Sequence, residues 1–255
     1  MAGQGARVLA VGGTSGIGLA CAAAMLAQGA AAVRVVGRSA ARGAAAAARL
    51  GPRAGFIAAD CAEPAQVQAM ADRAAAEMGG IDALICAPGA THLPELLFRQ
   101  TLSQIRETLT QDLAPVLLSC RAVLPVMMAR GSGAIVTIAS DAGKVATPGE
   151  SVIGAGMAAI IQFTRGLAME AKRDGVRANV ITPSLVEGTP LTDRLMAEGR
   201  FSAKLFAKAR TLAHLGPTTA EDVVGPRCAS VRALANSLAL KRPSAISRSD
   251  RKSVV

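Results

Sequence analysis

The sequence predicts a doubly wound α/β fold, in which one parallel sheet lies between two layers of helices. Short runs rich in β-branched residues alternate about six times with longer Ala/Leu-rich stretches, the pattern of repeated strand–helix units. The strands are apolar without alternation, as expected for strands that are buried on both faces. With 255 residues, 51% of them hydrophobic, the chain has the length of one large domain and enough apolar residues for a packed core.

The individual elements follow from this alternation in chain order. Strands are predicted at 7–11, 33–37, 55–59, 83–86, 134–140 and 177–182. Helices are predicted at 17–28, 40–50, 65–78, 103–130 and 151–173. Pro115 should interrupt the run 103–130, because proline lacks the amide hydrogen and crowds the preceding turn. The predicted domain spans 1–224, and its looser end holds an amphipathic helix at 190–213 and the start of a further helix within 220–240.

The net charge of +10 is concentrated at the C-terminal end of the chain. Positions 225–255 hold seven basic residues and a single acid, Asp250, whereas the rest is only mildly basic. This segment has no aromatic residue that could stack on a base, so a solvated, partly disordered basic tail is favoured over a nucleic-acid-binding arm. Its changed composition fits either divergence or a shifted reading frame.

Membrane, secreted and metal-binding classes are not favoured either. Residues 8–33 carry no charge, but five glycines and Gln28 interrupt the run, so we expect no membrane span there. The N-terminus lacks a cleavable-signal pattern, and the five cysteines form no C-x-x-C pair. We therefore expect reduced thiols, a cytoplasmic location and no metal site.

A glycine-rich turn joins the first strand to the first helix. It reads Gly12-Gly13-Thr14-Ser15-Gly16-Ile17-Gly18 and lies inside a complete βαβ unit. Missing side chains let the backbone approach a pyrophosphate, and the amides at the start of the helix face its charge. A tight turn also favours glycine, but this position favours nucleotide binding.

The second strand indicates which nucleotide is preferred. An acid about 20 residues beyond the glycine turn would bind the ribose 2′-hydroxyl of NAD. This chain has Arg38 and Ser39 there, and residues 30–59 contain no acid. A guanidinium and a hydroxyl suit a 2′-phosphate, so NADP(H) is favoured over NAD(H). The alternative is that Arg38 is only a solvated surface residue.

Over residues 5–224 the chain resembles the short-chain dehydrogenase/reductase family, whose fold is Rossmann-like. The glycine turn is similar to the family's T-G-x-x-x-G-x-G, Cys86-Ala87-Pro88-Gly89 stands where the family has N-N-A-G, and 177–184 resembles its R-V-N-x-x-x-P-G segment. The resemblance implies a dinucleotide site. Its expected cofactor-binding residues are Gly12, Thr14, Ser15, Gly16, Ile17, Gly18, Arg38, Ser39, Asp60, Cys61, Ala87, Gly89, Pro183 and Thr189.

The catalytic positions depart from the family. The resemblance assigns Ser140 to the family's active-site serine and Asp112 to its asparagine. The family's Y-x-x-x-K pair falls on Ile153 and Met157, and the chain contains no tyrosine at all. Ile153 cannot transfer a proton to a carbonyl oxygen, and Met157 cannot hold the nicotinamide ribose by charge or a donated hydrogen bond.

Loop residues near the predicted strand ends are candidates for a substitute acid. They are His92, Lys144, Glu150 and Ser151, although each is more simply interpreted as a solvated loop residue. Asp112 can accept the hydrogen bonds that an asparagine accepts, but its charge would oppose a developing oxyanion.

Three functional hypotheses remain open. In the first, the chain is an NADP(H)-binding oxidoreductase by ancestry, with weak or absent hydride transfer between a carbonyl and an alcohol. In the second, it is an atypical isomerase, lyase or reductase that uses Ser140 with another acid. In the third, it is a non-catalytic scaffold that associates with itself or with an active homologue through helices 103–130 and 151–173. The substrate is an unidentified small molecule in the first two.

Overall fold

The computed structural model describes residues 4–198, 203–204, 207 and 218–224. Its centre is a parallel sheet of six strands in the order β3-β2-β1-β4-β5-β6. The strands are β1 Arg7–Val11, β2 Ala32–Gly37, β3 Ala54–Ala58, β4 Ala83–Cys86, β5 Gly133–Ile138 and β6 Val176–Ile181. All six predicted strands are confirmed. The one sizeable boundary difference is β5, which ends before Ser140 because that residue caps a short 3₁₀ turn.

Eight α-helices have bounds that lie within the described part of the chain. They are α1 Gly16–Ala27, α2 Ala40–Leu50, α3 Pro64–Met78, α4 Leu102–Thr108, α5 Ala114–Arg130, α6 Ser151–Ala171, α7 Pro190–Glu198 and α8 Ala220–Val224. The expected interruption near Pro115 is confirmed, since a π-helical turn, Leu109–Leu113, separates α4 from α5. Pro115 lies in the first turn of α5, where its missing amide hydrogen costs nothing.

Two apolar clusters cover the two faces of the sheet. In β1, Leu9 and Val11 belong to the cluster that contains residues of α3, α5 and α6. The intervening Val8 and Ala10 belong to the cluster that contains residues of α1, α2 and α8. Consecutive strand residues point to opposite faces, so an apolar strand is buried on both sides. This arrangement is the predicted doubly wound fold.

The end of the described chain adds a second, smaller sheet. Its strands are β7 Val186–Glu187 and β8 Thr218–Thr219, which pair in parallel. The predicted helices at 190–213 and 220–240 are confirmed at α7 and α8, and the described residues 203, 204 and 207 are also helical. The rest of those two predictions, together with the basic segment 225–255, lies outside the described residues.

Two helical runs, 102–130 and 151–174, are long and apolar enough to cross a membrane by length and composition alone. In this structure, both contribute buried residues to the core beside the sheet, among them Val123 and Met127 on α5 and Ile160 and Leu167 on α6. Their apolar character is therefore accounted for, in part, by the packing of a doubly wound domain.

Candidate nucleotide and active site

The candidate site lies at the carboxyl edge of the sheet. β1 pairs with β2 on one side and with β4 on the other. The strand order therefore reverses at β1, and the loops after β1 and β4 lead to opposite faces of the sheet. Ligands of open α/β sheets bind in the crevice at such a switch point.

The glycines of the β1–α1 turn allow several backbone segments to meet there. Gly12 and Gly16 have φ angles of +73° and +51°, which glycine adopts without strain. A Cβ atom on Gly18 would lie 2.3 Å from the carbonyl oxygen of Gly12, and one on Gly12 would lie 2.1 Å from the carbonyl oxygen of Ala87. Neither position can hold a larger residue without backbone movement.

This turn forms a cradle that suits a pyrophosphate. Ser15 makes no side-chain cap to α1, and the first turn of α1 contains no acidic residue. The amide groups at this helix start are therefore not covered by a capping side chain and can face an anion. Thr189 also borders the cradle, because a Cβ atom on Gly16 would lie 3.7 Å from the Cβ of Thr189.

The ends of β4 and β6 complete the border of the crevice. A Cβ atom on Gly89 would meet nothing within 4 Å, so the chain leaves open space beside that residue. The carbonyl of Pro183 accepts a hydrogen bond from the amide of Asp141, with an N···O distance of 3.1 Å. The loops after β5 and β6 are thereby held together.

The residues expected to bind the ribose 2′-phosphate lie at the start of α2. Arg38 is exposed just beyond β2, and its Nη1 is 3.4 Å from the Oε1 of Gln111. The hydroxyl of Ser39 accepts a hydrogen bond from the amide of Arg42, at 3.3 Å, and so caps α2. Sequence reasoning missed Arg42, a second cation in the first helical turn, although its spacing from the capping serine could have indicated it.

Asp60 and Cys61 follow β3 in a tight turn. The Asp60 carboxylate accepts a hydrogen bond from the amide of Ala62 at 3.0 Å, while the Asp60 amide donates to Gln66 at 2.9 Å. Cys61 is buried, and burial raises the pKa of its thiol to about 11. The Cys61 thiol is therefore neutral at physiological pH.

Ser140 is engaged in the local structure. Its hydroxyl donates to the Oδ1 of Asp141 and accepts from the amide of Ala142, with both distances at 3.2 Å. Its proton is therefore already directed at a neighbouring carboxylate. Ser140 can polarise a substrate carbonyl only after that hydrogen bond is exchanged. The competing group, Asp141, was not identified from the sequence.

Ile153 and Met157 lie on α6, where the resemblance places them. Both are partly buried, and Met157 packs against the larger core cluster. A Cβ atom on Gly143 would come within 2.7 Å of the Ala158 amide nitrogen, and one on Gly154 within 2.7 Å of the Ala142 carbonyl oxygen. The 3₁₀ turn after Ser140 thus packs directly on the helix face, although neither Ile153 nor Met157 can transfer a proton.

The candidate substitute acids have different environments. Lys144, Glu150 and Ser151 line a cavity of about 300 Å³ between the 3₁₀ turn and the start of α6. Burial raises the pKa of Glu150, a hydrogen bond with Thr147 opposes the increase, and the charge of Asp141 adds to it. His92 lies apart from this cavity, where its Nε2 is 3.2 Å from the Oε2 of Glu107.

Asp112 is the most unusual charged residue of the site. It lies in the π-helical turn at 3% exposure. Its Oδ1 accepts a hydrogen bond from the amide of Thr91 at 3.0 Å, but its buried Oδ2 has no hydrogen-bond partner among the described residues. Burial raises the pKa of Asp112, and the Thr91 hydrogen bond, His92 and Arg194 oppose the increase only in part. The ionised form is therefore costly in the folded protein.

Replacing Asp112 with asparagine should stabilise the protein at neutral pH by about 1–3 kcal/mol, because it removes a buried charge that lacks a partner on one oxygen. The folded-state pKa of Asp112 lies above the unfolded value, so its ionisation destabilises the fold as pH rises between the two. The stabilisation by Asp112→Asn should be complete above the pKa of Asp112 in the folded protein. It should disappear below the pKa of Asp112 in the unfolded protein, near 4. Circular dichroism during denaturant unfolding between pH 3.5 and 8 measures it.

The matched control for this change is Asp72→Asn, which alters an exposed aspartate on α3. That variant should follow the wild-type stability curve at every pH. A pH-independent effect of Asp112→Asn would contradict the assignment to a buried ionisation.

Comparison with known proteins agrees with this architecture. A family model described as short chain dehydrogenase matches residues 6–199. A 2-dehydro-3-deoxy-L-rhamnonate dehydrogenase (NAD(+)) from Sphingomonas sp. (strain SKA58) is 33% identical over 191 residues, covering 75% of this chain and 76% of the relative. A cis-4-hydroxycyclohexanecarboxylate dehydrogenase from Sinomonas cyclohexanicum is 33% identical over 224 residues, or 84% and 90% of the two chains.

A solved structure of levodione reductase superimposes with a TM-score of 0.80 at 25% identity, over 91% of each chain. The six-stranded parallel sheet, the glycine cradle at its switch point and the match over 6–199 together identify this chain as a member of the short-chain dehydrogenase family of oxidoreductases.

Proposed function

We propose that the chain is a short-chain dehydrogenase homologue that binds NADP(H) and has weak or absent carbonyl–alcohol hydride transfer. The observation that carries the proposal is the contrast between the two halves of its site. The glycine cradle and the basic start of α2 suit the phosphates of the nucleotide. The face of α6 that should serve the reaction carries Ile153 and Met157.

The chain has residues suited to binding the nucleotide, but it lacks two of the groups that the expected reaction needs. Bound nicotinamide would supply or accept the hydride. The cradle at Gly12–Gly18 would hold the pyrophosphate, and Arg38 with Arg42 would neutralise a 2′-phosphate. The missing parts are an acid for the carbonyl oxygen and a cation for the nicotinamide ribose, since Ile153 and Met157 provide neither.

The preference for NADP(H) over NAD(H) rests on Arg38 and Arg42. Both are exposed at the end of β2 and the start of α2, and no acid lies in residues 30–59 to bind a free 2′-hydroxyl. One relative carries NAD(+) in its name, so membership of the family does not decide the cofactor. We further propose a cytoplasmic location; three buried cysteines that are not in disulfide bonds, Cys61, Cys86 and Cys120, support it.

Calorimetric titration should detect NADPH binding that Arg38→Ala weakens by roughly ten- to a hundredfold, because a charged hydrogen bond to the 2′-phosphate is lost. NADH binding should be weaker and unaffected. Arg49→Ala is the matched control, since Arg49 is exposed at the opposite end of α2. NADH binding as tight as NADPH binding would refute the cofactor preference, and a folded sample that binds neither nucleotide would refute the proposed function.

The double substitution Ile153→Tyr with Met157→Lys should raise NADPH-dependent reduction of small aldehydes and ketones by at least about 10²-fold, because it restores a proton donor and a ribose-binding cation. Loss of NADPH absorbance measures the rate. Ile153→Phe with Met157→Lys is the matched control, since phenylalanine has the same ring without the hydroxyl. Equal rates for the two double variants would contradict the assigned role of position 153.

A second candidate function is an atypical reaction that uses Ser140 with Glu150. Glu150 favours it, because this partly buried carboxyl with a raised pKa lines the cavity beside Asp141, the hydrogen-bond partner of Ser140. If this hypothesis is correct, the unaltered protein converts its substrate, and Glu150→Gln abolishes that activity. The double substitution Ile153→Tyr with Met157→Lys then does not increase the rate.

We also propose that the chain self-associates through α5 and α6. These helices lie on the same face of the sheet, and Met128 and Met169 remain exposed on them, at 38% and 75%. Met169→Lys should shift sedimentation velocity towards the monomer, whereas Met196→Lys on α7 should not. A monomer before any substitution would contradict self-association and leave pairing with an active homologue as the scaffold hypothesis.

A further inference from the structure

The peptide groups of Thr91 are held from two sides by charged residues distant in sequence. The amide donates to the Oδ1 of Asp112, and the carbonyl oxygen accepts from the Nη2 of Arg194, both at 3.0 Å. Thr91 lies in the β4–α4 connection, residues 87–101, which borders the site next to Gly89. A 15-residue connection of this kind has few regular hydrogen bonds of its own, so such contacts decide its position.

Arg194 belongs to α7, which begins at the nucleotide cradle. Thr189, the residue before α7, lies beside Gly16. Its hydroxyl and that of Thr192 are 3.1 Å apart, and both donate to the carbonyl of Val186. These hydrogen bonds fix the start of α7 to β7, and the position of Thr189 next to Gly16 places that start beside the cradle. Arg194, one helical turn further on, extends from α7 to Thr91 on the other side of the site.

The charges explain why arginine suits this position. Asp112 is buried with an unfavourable charge, and Arg194 lowers its pKa together with His92. Arg194 also donates to Thr91, which a neutral side chain such as methionine could not do. The contact is nonetheless incomplete, because the buried Nε of Arg194 and Oδ2 of Asp112 have no hydrogen-bond partner among the described residues. A polar network left partly unsatisfied contributes less stability than a complete one.

We propose that Arg194 is a positioning residue that fastens the β4–α4 connection to α7, so that the cradle and the substrate side of the site are coupled through one helix. The inference goes beyond the proposed function, since it concerns the chain without nucleotide. The same connection has an independent tether, in which the Glu95 amide donates to the carbonyl of Gly149 at 2.9 Å. That tether supplies an internal reference.

Residue-resolved amide exchange by NMR tests the proposal on the full chain without ligand. In Arg194→Met the Thr91 amide should exchange roughly tenfold faster, as expected when the neighbouring charged hydrogen bond is lost. The Glu95 amide should be unchanged. Arg194→Lys keeps a donor and should restore most of the protection, and Arg49→Met is the control for removing an exposed arginine elsewhere.

Unchanged exchange of Thr91 in Arg194→Met would overturn the proposal. Faster exchange of the β1 and β4 amides together with Thr91 would also overturn it, because Arg194 would then stabilise the whole fold. Failure of Arg194→Lys to restore protection would also count against it, since a donor to the Thr91 carbonyl would not be the relevant property. None of these outcomes depends on nucleotide binding, so the proposed function can fail while this proposal stands.

Discussion

The close approach of backbone to backbone at Gly12 is the constraint on which the architecture of the site depends. The carbonyl oxygen of Gly12 occupies the space that a Cβ atom on residue 18 would need. The carbonyl oxygen of Ala87 occupies the space that a Cβ atom on residue 12 would need. β1, the start of α1 and the end of β4 can therefore converge only because these side chains are missing. That convergence creates the crevice at the switch point of the sheet.

The two halves of the site differ in what their geometry requires. The nucleotide half depends on glycines and on a helix start without a capping side chain. Its geometry therefore requires particular residue types at particular positions. The α6 half depends on close packing at Gly143 and Gly154, where none of the nearest atoms belongs to the side chain of Ile153 or Met157. Ile153 and Met157 are compatible with this helix, and neither side chain is a proton donor or a cation. Retention of the fold carries no information about retention of the chemistry.

Asp112 shows how one buried carboxylate affects its surroundings. A carboxylate at this position accepts the Thr91 amide hydrogen bond but brings a buried charge whose second oxygen lacks a partner. Arg194 offsets that charge and bonds the carbonyl of the same residue. The contact between α7 and the β4–α4 connection is therefore a hydrogen bond from a charged guanidinium to a backbone carbonyl.

The sequence by itself determined the order of elements, the parallel sheet and the nucleotide cradle, because these depend on local signals: apolar runs, the spacing of glycines and a proline at a helix start. The resemblance also located Ile153 and Met157 by counting from Ser140. The tertiary structure alone decided that the Ser140 hydroxyl donates to Asp141, that Thr189 borders Gly16 and that Arg194 reaches Thr91. Thr91 and Arg194 are 103 residues apart, and no periodicity or motif links residues at such a distance. Their meeting follows only from the way the chain is packed around its sheet.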